Sequence, residues 1–169
     1  MQRMWSPWRS KYLATFNEPV RKRKKPVSLF AAPLKSRDDS KNLIVWRGQH
    51  CFVMMNRYPY NSGHLLIVPN RQTATMEDLT LVELAEMMQS TQRAIRALNI
   101  IMKPQGYNFG ANLGRMSGAG IDNHVHFHLV PRWNGDTNFM PVLADTKVIS
   151  EEMKATLKKL QKAFKKVVS

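Results

Sequence analysis

The most constraining feature of the chain is a single long amphipathic stretch with short apolar segments on both sides. Leu81, Leu84, Ala85, Met88, Ile95, Leu98 and Met102 recur at steps of three, four and seven. That is the period of one face of a helix, and it predicts one helix from Met76 to Met102, stopped by Pro104 and Gly106. Before it come Leu43–Trp46 and Phe52–Met55, split by the turn Arg47–His50, and then His64–Val68, which follows a second turn at Tyr58–Gly63 and ends at Pro69. No crossover helix separates these three strands, so they form an antiparallel meander. After the helix, Tyr107, Phe109, Ala111 and Leu113 alternate as a fourth strand, and His124–Val130 as a fifth. Ser150, with Glu151 and Glu152, is placed to cap a last helix striped by Met153, Leu157, Leu160, Phe164 and Val167. The expected class is α+β: an antiparallel sheet of about five strands, one long helix and a C-terminal helix.

Three segments follow from this order: an N-terminal extension with a basic linker (1–41), a central domain (42–149) and the lysine-rich amphipathic helix (150–169). Trp5, Trp8, Tyr12 and Phe16 suggest that Met1–Phe16 docks on the core, whereas Glu18–Lys41, with Arg21–Lys25 at its centre, reads as an exposed loop or linker. The formal net charge is +14, but it is unevenly placed. Residues 1–47 carry +9, residues 147–169 carry +5, and residues 48–146 balance seven basic against seven acidic side chains. Basic ends admit a nucleic-acid partner and, as readily, a solvated surface. The lone Cys51 cannot form an internal disulfide and fits a reducing, cytoplasmic setting. No apolar run approaches the length of a membrane span, so no membrane partner is expected.

The chemistry is concentrated in His124-Val125-His126-Phe127-His128-Leu129-Val130. On a strand, alternate residues face one side, roughly 6.6 Å apart at about 3.3 Å per residue. The three imidazoles then share one face, and Val125, Phe127 and Leu129 turn to the core. Three readings compete: structural histidines, a metal site with Asp122 as the best local carboxylate, and nucleophilic catalysis, for which an imidazole with pKa near 6.5 is suited at neutral pH. The preceding loop, Gly114-Arg115-Met116-Ser117-Gly118-Ala119-Gly120, has glycines that let backbone N–H groups converge on an anion, with the Ser117 hydroxyl and the Arg115 charge nearby.

The triad, the Gly63–Pro69 segment, the long helix, Asn108–Asn112 and the order in which they occur resemble the histidine triad (HIT) superfamily. Met4–Leu13 and Arg132–Pro141 resemble the diadenosine polyphosphate hydrolases and phosphorylases of its fragile-histidine-triad-like bacterial branch. The resemblance implies that His126 is the nucleophile that attacks an α-phosphate and forms a nucleotidyl-histidine. It implies that His128 bonds phosphate oxygens, that His124 orients the nucleophile and helps the leaving group, and that His64 is a fourth, supporting histidine. Asn56 and Asn112 would hold the nucleoside and the phosphate or ribose, and Ser117, Gly118, Ala119, Gly120 and Ile121 the phosphates. The implied activity is cleavage of dinucleoside polyphosphates or nucleoside phosphoramidates with water or, in the phosphorylases, inorganic phosphate as acceptor, in a homodimer. No cofactor is required, although a divalent cation such as Mg can accompany the substrate. Many bacterial relatives hold a structural zinc; here Ser28–Ala31 and Arg71 replace its usual ligands, so none is expected. A nucleotide sensor with little catalysis and a nucleic-acid-end binder remain the alternatives of another class.

Overall fold

The computed structural model describes residues 28–117, 121–136 and 152–168. A short helix α1 (Ala31–Lys35) leads to strands β1 (Ile44–Arg47), β2 (Cys51–Met55) and β3 (Leu65–Pro69). Helix α2 (Leu81–Met102) carries the chain to β4 (Gly106–Ala111) and β5 (Phe127–Arg132), and α3 (Met153–Val168) closes the described fold. The five strands form one antiparallel sheet in the order β1-β2-β3-β5-β4. The expected meander is present in β1–β3. The long helix then delivers β4 to the far edge, and β5 returns to fill the gap beside β3. That return brings the histidine strand to the middle of the sheet, next to the strand that follows His64.

Every residue of β2 and β3 is buried, because both faces of the sheet are covered. On one side Val53, Met55, Leu65, Ile67, Phe127 and Leu129 meet Met87, Ala94 and Leu98 of α2 and Leu157, Leu160 and Phe164 of α3. On the other a smaller cluster joins Phe52, Met54, Leu66 and Val68 to Phe30 from the segment before α1. Residues 28–41 are therefore no open linker. Phe30 is 3% exposed and seals the sheet face on which the histidines sit. The rest of the N-terminal reading, including Trp5, Trp8, Tyr12, Phe16 and Arg21–Lys25, lies outside the described residues.

Helix α2 begins at Leu81, five residues later than periodicity suggests. Thr80 is the cap: its hydroxyl accepts from the Glu83 backbone N–H at 3.2 Å, and the Glu83 carboxylate accepts from the Thr80 N–H at 2.8 Å. This reciprocal pair satisfies two of the orphan donors at the helix start and fixes the boundary. At the other end Lys103 adopts φ 46°, a left-handed cap before Pro104. For α3, Ser150 and Glu151 lie outside the described residues. Glu152 performs the capping, accepting from the N–H groups of Lys154 and Ala155.

The turn before β3 depends on Gly63, whose φ of 76° suits glycine and whose missing Cβ would stand 2.7 Å from Met102 Sδ. Gly63→Ala should cost about 1–3 kcal/mol, the usual scale for a non-glycine residue held in left-handed backbone. Denaturant unfolding checks this; a cost below about 0.5 kcal/mol would contradict it.

Candidate active site

The histidines sit where β3 and β5 pair, with Leu66 opposite His128 and Ile67 opposite Phe127. The ladder begins at Phe127 and not at His124, so the triad does not present three equivalent imidazoles. His126 and His128 lie side by side, ring centroids 4.8 Å apart, and His64 approaches His128 at 5.2 Å. His124 diverges. Its ring is 2% exposed, lies edge-on to Phe30 and is held at both nitrogens.

The hydrogen bonds fix the tautomer of each ring, because a carbonyl can only accept and a backbone N–H can only donate. His124 Nε2 faces the Pro69 carbonyl at 2.9 Å, so it carries the proton. Its Nδ1 then accepts from the Ser28 hydroxyl at 2.8 Å, whose oxygen in turn accepts from the Phe30 N–H. His126 Nδ1 donates to the His124 carbonyl at 2.9 Å, which leaves the Nε2 lone pair of His126 free. His64 Nδ1 accepts from the Tyr60 N–H at 3.1 Å, with the Asn56 amide at 3.4 Å. His64 Nε2 is therefore the donor to His128 Nδ1 at 3.0 Å, and His128 presents Nε2–H. That atom is buried with no partner among the described residues. One cluster thus offers an unprotonated imidazole nitrogen and an unsatisfied N–H donor side by side.

Burial keeps the cluster uncharged. It pushes His64 down to about 3 and His128 down to about 4, with the neighbouring imidazoles as a smaller cause. Burial also lowers His126 and His124, against the raising effect of their backbone carbonyl bonds. At neutral pH the His126 Nε2 lone pair is therefore available without deprotonation.

Two cavities open over the cluster. The larger, about 680 Å³, is lined by Phe30, Asn56, Tyr58, Ile121, His126 and His128, among others. The smaller, about 410 Å³, lies over β4 and β5. Tyr60, Asn112 and His128 border both. The expected residues His64, His126, His128, Asn56, Asn112 and Ile121 therefore converge. His124 meets His126 through its backbone carbonyl, and its ring is engaged by Ser28 and Pro69. Ser117 borders neither cavity, its hydroxyl bonding the Gly114 carbonyl at 2.7 Å. Gly118, Ala119 and Gly120 lie outside the described residues.

Sequence reasoning missed Ser28, Phe30 and Tyr60. Ser28 and Phe30 fall in a stretch read as linker. Tyr60 falls in a turn, yet its ring stacks 11° from that of His128 at 6.0 Å; an aromatic residue within the turn was the available signal. Arg71 is paired with Glu83 at 2.8 Å. Among the described residues no three His, Cys, Asp or Glu side chains converge as a metal cage, and no described helix is long and apolar enough to cross a membrane.

Fold and cluster together define a protein built around a fixed, neutral imidazole flanked by hydrogen-bond donors. The HIT domain profile matches residues 37–135, and the chain belongs to the HIT domain family. It is 40% identical over 159 residues to the AP-4-A phosphorylase of Mycobacterium tuberculosis, covering 92% of this chain and 80% of that protein. It is 27% identical over 93 residues to the asymmetrical bis(5'-nucleosyl)-tetraphosphatase of Schizosaccharomyces pombe, covering 55% and 50%. In fold it is similar to a Zn-bound histidine triad family protein from Mycobacterium smegmatis, with TM-score 0.68 and 21% identity over 86% of this chain and 98% of that one.

The lowered histidines predict acid sensitivity. Below the ordinary histidine value of 6.5 the unfolded chain takes up protons that His64 and His128 refuse until about 3 and 4. Stability is therefore full above pH 6.5 and declines as pH falls. Denaturation midpoints at pH 7 and pH 5 check the sign: the midpoint should be lower at pH 5.

Proposed function

We propose that the protein cleaves dinucleoside polyphosphates of the diadenosine tri- and tetraphosphate type through a nucleotidyl intermediate on His126. The observation that carries this is the fixed tautomer of His126, with Nδ1–H on the His124 carbonyl and Nε2 open to the larger cavity. In the first step Nε2 attacks the α-phosphorus. The N–P bond forms, and the P–O bond to the rest of the chain breaks, its electron pair leaving with the departing nucleoside polyphosphate. The positive charge gained by the ring is shared with Nδ1–H and eased by the His124 carbonyl. His128 Nε2–H is placed to donate to a phosphate oxygen as charge develops there. Asn56, in the larger cavity, is assigned to the nucleoside, and Asn112, at the junction of the two cavities, to phosphate or ribose. Arg57, exposed on the rim of the larger cavity, supplies the cation that the neutral histidines do not.

In the second step an acceptor oxygen attacks phosphorus, the N–P bond breaks and neutral His126 is restored. Water or inorganic phosphate can serve. The extent of the likeness to the relative named AP-4-A phosphorylase, 92% of this chain against 55% for the tetraphosphatase, favours phosphate. The reading includes no structural zinc, since Ser28 and Arg71 serve His124 and Glu83. It also includes a two-fold homodimer, as the family resemblance implies. Among the described residues β4 is an edge strand and Met88 and Ile100 of α2 are exposed, both compatible with it.

Product analysis on diadenosine tetraphosphate tests the acceptor. A nucleoside diphosphate formed only when phosphate is added supports phosphorolysis; a monophosphate formed without phosphate supports hydrolysis. His126→Ala should lower turnover by at least about 10³-fold, the scale on which losing a covalent nucleophile acts, while retaining nucleotide binding. Undiminished turnover would remove His126 as nucleophile. Light scattering should give a solution mass of about twice 19.5 kDa.

A further inference from the structure

The smaller cavity has no part in the chemistry derived so far. It is separated from the larger one only by Tyr60, Asn112 and His128, so a molecule bound across His128 can occupy both. The strand register decides what faces it. Gly110 pairs with His128, Asn108 with Val130 and Gly106 with Arg132, and paired residues share a face of the sheet. The floor over β4 and β5 is therefore Asn108, Gly110, Val130 and Arg132, on the same side as His128.

Its chemistry is that of an uncharged ligand. Arg132 is the cation on this lining, and Asp136 holds it by two bonds, Nε to Oδ2 at 2.6 Å and Nη2 to Oδ1 at 2.7 Å, while Nη1 donates to Asn108 Oδ1 at 2.6 Å. The charge is cancelled within the wall. The Asn108 –NH2 and the Asn112 amide remain for hydrogen bonds, beside the Tyr60 ring and the Val130 methyls. At Gly110 a Cβ would meet nothing within 4 Å, so the space above the strand is open to a ligand. A cavity of about 410 Å³ with amides, one aromatic face and no net charge suits a heterocyclic base and its ribose better than a phosphate.

We propose that this cavity is the subsite for the second nucleoside, the one on the departing half of the substrate, with the polyphosphate bridging the two cavities across His128. The inference rests on the reading of the substrate as a dinucleoside polyphosphate. Its role is selection by length and by the presence of a second base, since binding there uses groups remote from the reacting phosphorus.

The test compares diadenosine tetraphosphate with the P4-methyl ester of adenosine tetraphosphate, which keeps the chain and its charge but lacks the second nucleoside. The wild-type protein should use the dinucleotide with at least ten-fold higher kcat/KM. Gly110→Val, which fills the floor of the cavity, should raise KM for diadenosine tetraphosphate at least ten-fold and change KM for the methyl ester less than two-fold. Equal use of both substrates by the wild-type protein would overturn the subsite and leave the function standing, and that measurement does not depend on how the variant folds. A Gly110→Val effect of the same size on both substrates would also overturn it. Failure of the wild-type protein to cleave either one would overturn the functional reading itself.

Discussion

The site depends on one hydrogen bond, from His126 Nδ1 to the carbonyl of His124 at 2.9 Å. A neutral imidazole has one protonated nitrogen, and a carbonyl opposite Nδ1 forces the proton there. The useful lone pair is then Nε2, directed at the cavity. A carbonyl can hold a ring this way only if its own residue cannot move. His124 is fixed for that purpose: its ring is tied to Pro69 at the end of β3 and to Ser28 ahead of α1, and Phe30 covers it. The segment leading into α1, the end of β3 and the start of β5 thus converge on the orientation of one side chain.

A parallel constraint runs on the other side. The Tyr60 N–H sets His64, His64 sets His128, and His128 is left with a buried donor that has no protein acceptor. Leaving a buried donor unsatisfied costs about 1–3 kcal/mol. In a folded protein such a cost fits a group whose partner is a ligand. The same burial that makes the orphan donor costly also holds the rings neutral, so the free His126 Nε2 and the His128 N–H coexist without mutual charge repulsion.

Much of this was legible in the sequence because it rests on local pattern. The helix and strand periods give the layers, and alternation marks the histidine strand. What local pattern could not give was the divergence of His124. Alternation treats the three histidines as equivalent, but the ladder with β3 starts only at Phe127, and His124 is claimed by Ser28, 96 residues away. The start of α2 was misplaced because periodicity says where a helix could run, and the Thr80–Glu83 cap says where it begins. Tyr60 was hidden for a related reason: its turn is recognisable from Pro59 and Gly63, while the use of its backbone N–H depends on where His64 points.

The distribution of charge follows from the same constraint. A cationic side chain among the imidazoles would hold a polyanion but would also change the protonation balance that burial sets for the rings. The chain instead leaves residues 48–146 balanced and concentrates its excess at both ends. Where positive charge does approach the cavities it is peripheral or cancelled: Arg57 sits exposed on one rim, and Arg132 is locked to Asp136. Long-range attraction of a polyphosphate can draw on charge away from the cavities, because charges act over about a Debye length, roughly 8 Å at physiological salt. Reactivity cannot, because it requires an imidazole whose protonation is settled before the substrate arrives. The two demands are met apart in the sequence: the excess charge lies toward its two ends, and burial keeps His64, His126 and His128 uncharged.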